Sequence, residues 1–442
     1  MAGLAAGAVL AFPAPLAHAA TVSVRCSVSD LVAAIHTANN SPGHDTLRLA
    51  PRCTYRLVVP DPGNAANGLP AITSDIAING NGATITRPRS APDFRILFVD
   101  TPGILTLNDA TISGGAATDC PLFPGEGICG GGISNLGRMT VNHSRVIHNT
   151  ATSSLFAEGG GIDSGGTATV NDTEVSGNTV AYTGTVPSAA LGGGIANNFP
   201  LTVNNSRVHH NAASVTADTG SLADGTGLIG FAQTTVTRTI ISHNHSSAPG
   251  GIARGAVTTG GAGTIVVTDT VIRDNTASAP NGLATGGAGA TNVKISLTRT
   301  RVIGNHATAP GGTVRGGGLS LGPDGEITVN SSTVRGNTAH ASGGIALGGG
   351  VANALGGTLT IDQSHISGNT ATAPHGGTAQ GGGIFNAIGS TTLNGSSVIG
   401  NRAGDGGGIF KESGTVTLNS SAVRGNRPNN CRPPGSVLGC TG

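Results

Sequence analysis

The sequence predicts an all-β fold: a single right-handed parallel β-helix, or solenoid, of about 12 coils with a short N-terminal capping helix. The first observation is a sequence motif that occurs ten times at intervals of 25 to 33 residues. In each copy, Asn follows Val or Ile by three residues and Ser or Thr by five. The second is strict apolar alternation, typical of a strand with one buried face. The third is a glycine run before an apolar residue, as in Gly382-Gly383-Ile384. Such a fixed period indicates stacked units.

The Asn that closes each copy predicts a ladder of stacked side-chain amides. Asn tolerates the left-handed backbone of a tight corner, and its amide can bond to an equivalent amide about 4.8 Å away. A ladder needed for folding explains an unbroken column better than a binding stripe does. The ladder residues are Asn149, Asn178, Asn211, Asn244, Asn275, Asn305, Asn337, Asn369, Asn401 and Asn426. The Ser or Thr row is expected to form a similar ladder.

Each unit is expected to hold three short strands. Two alternating pieces are separated by turn formers such as Asn204-Asn205, and the third piece follows the glycine run. The segment between each Asn and the next glycine run varies most, from nine residues at 150–158 to four at 402–405. Insertions confined to one corner lie on one edge of a solenoid, which is often its working edge.

The ends of the chain differ from the repeats. The first residues look like a secretory signal, because a short apolar run precedes the small-x-small pattern Ala17-His18-Ala19. Residues 27–39 have apolar residues at helical spacing, and a helix there would plug the open end of the rod. The predicted segments are 1–19 for the signal peptide, 20–115 for the N-terminal cap and irregular first coils, 116–426 for the regular repeats and 427–442 for a C-terminal cap that cannot continue the strand ladder.

Six cysteines fall into three neighbouring pairs. Six cysteines allow 15 pairings in general, but a rod keeps residues that are distant in sequence apart in space. The predicted disulfides therefore join neighbours: Cys26 to Cys53, Cys120 to Cys129 and Cys431 to Cys440. An exported chain permits such bonds.

The composition argues against several classes of function. Charged residues make up 10% of the chain and the net charge is +1, which favours neither nucleic acid nor an anionic membrane as a partner. No transmembrane anchor is predicted, because the apolar run is short and contains prolines. P-loop, Rossmann, Ser-His-Asp and Cys-x-x-Cys signals are missing, so no cofactor and no metal are expected. Trp is absent and Tyr numbers only two, so an aromatic platform for sugars is not predicted.

Several motifs together resemble those of secreted bacterial right-handed parallel β-helix repeat proteins. They are the GGGI strand, the LTV-x-x-S-x-V-x-x-N unit and the N-terminal segment C…L-x-x-AI-x-x-AN…DTLRLA…C-TYRL. These proteins share the pectate-lyase-like architecture and are similar to polymorphic outer-membrane-protein repeats. The N-terminal segment resembles a CSLREA-like leader, although Cys26-Ser27-Val28-Ser29-Asp30 departs from it after two letters. The resemblance covers nearly the whole mature chain and implies a fold more than an activity.

One polar cluster follows from the register of the repeats. The residue before the ladder Asn is usually Gly, but in three consecutive units it is His210, His243 and Asp274. These side chains would stack about one strand spacing apart, and could bind a Zn²⁺-like ion or transfer protons. The alternative is that an outward corner accepts any polar residue, since His148 occupies the same position alone.

The sequence predicts an exported, non-enzymatic protein of a bacterium, secreted or held at the cell surface. It would be a structural, adhesive or glycan-contacting scaffold, with extracellular or cell-wall polysaccharide or other surface molecules as partners. The alternative is a polysaccharide lyase or glycoside hydrolase of the pectate-lyase-like group. Hydrolases need two carboxylates about 5 to 10 Å apart and calcium-dependent lyases need an acidic cluster, whereas the 22 acidic residues here are scattered.

Overall fold

The described residues of the chain fold as a parallel β-solenoid of about 11 turns with one short helix, which confirms the predicted fold class. The computed structural model describes residues 19–118, 129–216 and 220–441. Equivalent strands of successive coils pair in parallel and in register, so that Val141, Val170 and Val203 lie directly above one another. Positions that recur in the sequence therefore become rows along the rod. In the described part of the chain, no helix is both long enough and apolar enough to cross a membrane.

A regular coil contains five short strands in four sheets, two strands more than the sequence predicted. Sheet I has two halves, Ia and Ib, joined by the Asn-containing turn. Sheet II follows the ladder Asn, sheet III precedes the glycine run and sheet IV follows it. One complete coil shows this order as Lys294–Thr298 (Ia), Arg301–Ile303 (Ib), His306–Thr308 (II), Thr313–Arg315 (III) and Leu319–Leu321 (IV).

Sheet I is the largest of the four, with 25 strands. Half Ia comprises Thr21–Val24, His44–Leu49, Arg138–Asn142, Thr167–Asn171, Leu201–Asn204, Thr234–Thr237, Thr264–Thr268, Lys294–Thr298, Glu326–Asn330, Thr358–Asp362, Ser390–Asn394 and Thr415–Asn419. Half Ib comprises Thr54–Arg56, Arg145–Ile147, Glu174–Ser176, Arg207–His209, Ile240–Ser242, Val271–Arg273, Arg301–Ile303, Thr333–Arg335, His365–Ser367, Ser397–Ile399 and Ala422–Arg424. Two long strands, Asp75–Thr86 and Ile104–Ser113, run through both halves.

The other three sheets are built from shorter strands. Sheet II comprises Ala116–Thr118, Thr150–Ser153, Thr179–Tyr182, Ala212–Val215, His245–Ser247, Thr276–Ser278, His306–Thr308, Thr338–His340 and Thr370–Thr372. Sheet III comprises Ala157–Glu158, Ala189–Leu191, Leu222–Asp224, Ile252–Arg254, Leu283–Thr285, Thr313–Arg315, Ile345–Leu347 and Thr378–Gln380. Sheet IV comprises Leu97–Val99, Ile133–Asn135, Ile162–Ser164, Ile195–Asn197, Leu228–Gly230, Val257–Thr259, Gly289–Thr291, Leu319–Leu321, Val351–Asn353, Ile384–Asn386, Ile409–Lys411 and Cys431–Arg432.

The described part of the rod has two large hydrophobic cores and two small clusters beside them. Branched aliphatic residues such as Val236, Ile241 and Val267 are fully buried in the main core formed by sheets I and IV. A separate, alanine-rich core belongs to sheets II and III, with Ala151, Ala213, Ala277, Ala307 and Ala339 among its members. The segment that the sequence indicated as a variable edge is therefore largely structural. Burying each large aliphatic side chain contributes about 1.5 to 3 kcal/mol, so the main core supplies most of the stabilisation.

The ladder Asn lies at the corner between half Ib and sheet II. Each Nδ2 donates to the Oδ1 of the next Asn, at 2.9 to 3.0 Å from Asn149 to Asn426. In Asn244, the same Nδ2 also donates to the Val208 carbonyl, and the Oδ1 also accepts the backbone N–H of Asn211. The left-handed residue is the one before each Asn, for example His243 with φ of 56°. The expectation that Asn itself takes that conformation is wrong.

Both ends of the rod are closed. The predicted helix spans Val28–Asn39, buries Leu31, Ala34, Ile35 and Ala38, and is capped by the Ser27 side chain. A disulfide joins Cys26 to Cys53 beside it, and another joins Cys431 to Cys440 in the tail, as predicted. Cys120 and most of the predicted signal peptide lie outside the described residues.

The C-terminal tail continues the ladder for one more step, contrary to the prediction. Cys431–Arg432 pairs with Ile409 and Phe410 as the last strand of sheet IV. Asn430 accepts the Nδ2–H of Asn426 at 3.1 Å, in the place of an eleventh ladder residue. Val437 is buried against the main core. Pro433 and Pro434 therefore follow a short extra strand, which the tail then covers.

Candidate functional site

The outer surface of half Ib carries a continuous set of charged side chains. Its strands are three residues long, so the middle residue points into the main core and the other two point outward. The turns at both ends add one outward residue each, because the chain bends there through a left-handed conformation. We call these outward side chains in six successive coils the charged face: His143, Arg145, Asp172, Glu174, Arg207, His209, His210, Arg238, His243, Asp269, Arg273, Asp274, Arg299 and Arg301.

Opposite charges alternate along the turn between halves Ia and Ib. His143 Nε2 lies 3.7 Å from Asp172 Oδ2. Arg299 holds Asp269 with two hydrogen bonds, Nε to Oδ1 at 2.7 Å and Nη2 to Oδ2 at 2.9 Å. These bonds from Arg299 lower the pKa of Asp269, which therefore stays ionised at neutral pH.

Glu174, the first residue of the strand Glu174–Ser176, contacts side chains of the two neighbouring coils and so connects three coils. Arg145 Nε donates to its Oε2 at 2.9 Å, while Ser176 Oγ donates to its Oε1 at 2.7 Å and His209 Nε2 lies 3.3 Å from the same oxygen. Partial burial alone would raise the pKa of Glu174, but the bonds from Arg145 and Ser176 outweigh it and lower that pKa. Burial lowers the pKa of His209, Glu174 opposes that shift, and the charges of His210 and Arg207 reinforce it.

The structure brings the predicted cluster of His210, His243 and Asp274 together. The two imidazole rings stack with centroids 4.9 Å apart and an interplanar angle of 2°. His243 Nε2 lies 3.8 Å from Asp274 Oδ2, but that oxygen accepts a closer bond from Arg273 Nη1 at 2.7 Å. Within the described ranges, no three His, Cys, Asp or Glu side chains are arranged to hold a metal ion. The three predicted residues are therefore neighbours without being a preformed Zn²⁺ site.

His209 adds an unexpected contact to this cluster. Its Nδ1 lies 2.8 Å from Nδ1 of His210, with the two rings at 83° to each other. The sequence spacing also puts His209 and Arg273 beside this cluster. The sequence analysis missed Arg145, Glu174 and Asp172, which carry the contacts on the neighbouring coils. Comparing the residues six and four places before each ladder Asn would have found them.

Three arginines of the charged face form no ion pair among the described residues, although the charge of Arg238 adds to the hydrogen bonds of Arg299 in lowering the pKa of Asp269. Arg207, Arg238 and Arg301 are exposed, whereas Arg145, Arg273 and Arg299 form ion pairs. Arg207 and Arg238 line a shallow depression of about 450 Å³, together with Asp172 and other residues of four successive coils. Arg301 lies three coils above Arg207 on the same strand position, about 14 Å away at the usual strand spacing.

A second cluster, absent from the sequence analysis, is buried where sheet III meets sheet IV. Glu158 and Asp163 lie on either side of a glycine turn, with 8% and 0% of their surfaces exposed. Burial raises the pKa of Glu158 well above its usual value, and the nearby Asp163 carboxylate raises it further. Burial also raises the pKa of Asp163, to about 6, against the lowering effect of the Arg95 charge. These carboxyl groups are inaccessible to a polymeric substrate.

Comparison with known proteins adds no family to this picture. No family model, no curated protein and no solved structure matches the chain. The architecture and the side chains on its surface are therefore the basis for assigning a function.

Proposed function

We propose that this protein is an exported, non-enzymatic β-solenoid that binds an acidic polysaccharide along the charged face. The observation that carries the proposal is a set of exposed guanidinium groups that form no ion pair among the described residues, Arg207, Arg238 and Arg301, on one side of the rod. Guanidinium groups bind carboxylates through two parallel hydrogen bonds. They lie in the third, fourth and sixth coils of the charged face and span about 14 Å along the rod, so an extended polyanion can contact all three.

The paired groups of the same face also suit a sugar chain. Glu174 and Asp172 offer oxygen acceptors, and Asn205 offers an amide, beside Arg207 and Arg238. All five residues line the depression. Sugar hydroxyl groups can both donate to and accept from such side chains. Neutral hydroxyls and charged carboxylates on one ligand would match this mixture of groups.

The ionisation of the face favours binding over hydrolysis. A general acid must hold a proton at the working pH. The pKa values of Glu174 and Asp269 are instead lowered by their arginine partners, so both carboxylates are ionised. Asp274 is occupied by Arg273 at 2.7 Å. This is why we place the non-enzymatic function ahead of a glycoside hydrolase.

Export is part of the proposal. The predicted signal sequence and the two disulfides support it, because disulfides persist in oxidising compartments. Regular solenoids also place a long surface outside the cell without a large globular core. The resemblance of the repeats to secreted β-helix proteins points in the same direction.

The test is direct binding of the purified mature chain to polygalacturonate, alginate and hyaluronan, with dextran as the neutral control. We expect binding to at least one acidic polymer and weakening by salt, since exposed charges are screened. Replacing Arg207, Arg238 and Arg301 by Gln should weaken binding by about tenfold per residue, because a charge-assisted hydrogen bond contributes about 1.5 kcal/mol or more.

The matched control is the pair Arg335→Gln and Arg424→Gln. These arginines lie on half Ib farther along the rod, outside the charged face. Their replacement should leave the affinity unchanged. Equal weakening by both sets of substitutions would refute a local site and leave only general charge attraction.

The same mixtures test the alternative of a polysaccharide lyase. Lyases leave unsaturated sugar ends that absorb ultraviolet light, whereas a binding protein leaves the polymer intact. We expect no rise in absorbance during prolonged incubation. A rise in absorbance that disappears in the arginine variants would show that the charged face cleaves the polysaccharide and does not only bind it.

A further inference from the structure

The corner between sheets III and IV holds a second set of cationic side chains, away from the charged face. We propose that Arg254, Thr285 and Arg315 form a binding site for the carboxylate group of a small monoanion. The proposal rests on the in-register placement of these residues and on two buried polar atoms without a partner among the described residues, Arg315 Nε and Thr285 Oγ1. It does not depend on the proposed function.

The register of sheet III puts the three side chains in one column. Arg254, Thr285 and Arg315 are each the last residue of a three-residue strand, and they pair directly in successive coils. Neighbouring strands are about 4.8 Å apart, so Thr285 lies midway between two arginines whose backbones are about 10 Å apart. An oxyanion held between the two guanidinium groups is therefore beside the Thr285 hydroxyl.

These side chains point away from the alanine-rich core and into the corner. The centres of the three strands belong to that core, so the residues on either side of them face outward: Ala253, Ala284 and Val314. Thr285 is only 8% exposed, whereas the Arg254 side chain is 22% exposed and reaches solvent. The hydroxyl thus lies at the covered bottom of the column, and a guanidinium group lies at its open side.

Arg315 carries a charge that no described carboxylate balances. Arg254 Nη1 lies 3.3 Å from Asp224 Oδ2, which supplies a counter-charge for that arginine. Arg315 is half-buried, and burial lowers the pKa of its guanidinium group without an opposing carboxylate. Burying a cation without a counter-charge costs free energy. One bound negative charge would remove this cost, which favours a monoanion over a dianion.

The donors suit a carboxylate in particular. A guanidinium group presents its N–H groups as a planar fork that matches the two oxygen atoms of a carboxylate. Arg315 Nε is part of such a fork, and the Thr285 hydroxyl can donate to one of the same oxygens. Leu347 takes the next position of the column, so the polar row ends at Arg315. The site therefore holds one carboxylate and not a row of them.

The experiment is a titration of the full mature chain with sodium acetate, followed by nuclear magnetic resonance of the arginine Nε–H groups. Arg315→Gln identifies the Arg315 signal by its disappearance. We expect that signal to shift with acetate and to saturate. Thr285→Val and Arg254→Gln should each raise the Kd for acetate about tenfold, because a hydrogen bond to a charged group contributes about 1.5 kcal/mol or more.

Matched salts and a surface arginine provide the controls. Sodium chloride at the same ionic strength should leave the Arg315 signal in place, and sodium phosphate should bind more weakly than acetate. The signal of the exposed Arg335 on half Ib should not saturate with any of the three salts. A shift that chloride reproduces, tighter binding of phosphate, or a Kd unchanged in both variants would overturn the assignment. Unchanged thermal unfolding would show that each variant is folded.

Discussion

Half Ib has the same backbone along the rod but different side chains in its lower and upper coils. In the lower coils, from His143 to Gly304, its outward positions hold the charged face. In the upper coils, the equivalent turn residues are Ser331, Gln363, Gly395 and Ser420, the first strand residues are Thr333, His365, Ser397 and Ala422, and the third are Arg335, Ser367, Ile399 and Arg424. The ladder distances are 2.9 to 3.0 Å in both parts. The upper coils thus fold with few charges and no carboxylate at these positions, so the concentration of charges and ion pairs in the lower coils indicates a function.

The largest expected loss of stability is the same in the lower and the upper coils. Asn244→Ala in the lower coils and Asn369→Ala in the upper coils each remove an amide that makes four buried hydrogen bonds. At about 1 kcal/mol for each bond lost, both variants should lose about 4 kcal/mol of unfolding free energy. Chemical denaturation measures this. A large loss in only one part would show that the ladder differs between them.

A smaller effect is expected in the alanine-rich core. Ala277→Leu inserts a large side chain where sheets II and III admit only small ones, and should cost about 1 to 3 kcal/mol. Ala371→Leu is the matched change in the upper coils, on the same strand position of sheet II. The denaturation midpoints of the two variants, each relative to the wild type, measure this loss of stability. Stabilisation by either leucine would mean that space is left in this second core.

The lower coils should also respond to pH through their buried carboxyl groups. The pKa values of Glu158 and Asp163 are raised in the folded chain. The stabilisation by their neutral forms is therefore complete below the unfolded pKa of about 4 and is lost as the pH rises through the folded values, about 6 for Asp163. The melting temperature of the wild type should therefore fall as the pH rises from about 4 through about 6.

Glu158→Gln isolates this effect. The amide imitates the neutral acid, so the variant should melt higher than the wild type at the alkaline end and should vary less with pH. Glu326→Gln is the control, because that exposed carboxylate pairs with Lys294 at 2.7 Å on the surface. A wild-type melting temperature that rises with pH would contradict the buried, neutral state of Glu158.

The smallest effect on stability is expected from the charged face itself. Replacing Arg207, Arg238 and Arg301 by Gln should change the unfolding free energy by less than about 0.5 kcal/mol, as is usual for exposed positions. The same substitutions should weaken polysaccharide binding strongly. Denaturation and binding measured on one preparation separate the two properties. A destabilised triple variant would indicate that the arginines serve folding.

Sequence periodicity predicted the rod, the capping helix and two disulfides because each depends on local pattern and register. The same register placed His210, His243 and Asp274 side by side. It did not predict sheets II and III, since most of their strands are only three residues long and many have Ala at the centre, which carries a weak strand signal. The burial of Glu158 and Asp163 was not predicted either, because it depends on how sheets III and IV meet. The contact between His209 and His210 depends on side-chain rotation, which no sequence pattern encodes.

The most direct test of the account is hydroxyl-radical footprinting of the chain with and without a bound acidic polysaccharide. The method reports which side chains lose solvent contact. The account predicts protection of Arg145, His209, His210, His243 and Arg301 in the lower coils, and unchanged labelling of His365 and Ile399 in the upper coils. Protection spread evenly along half Ib, or confined to the upper coils, would contradict it.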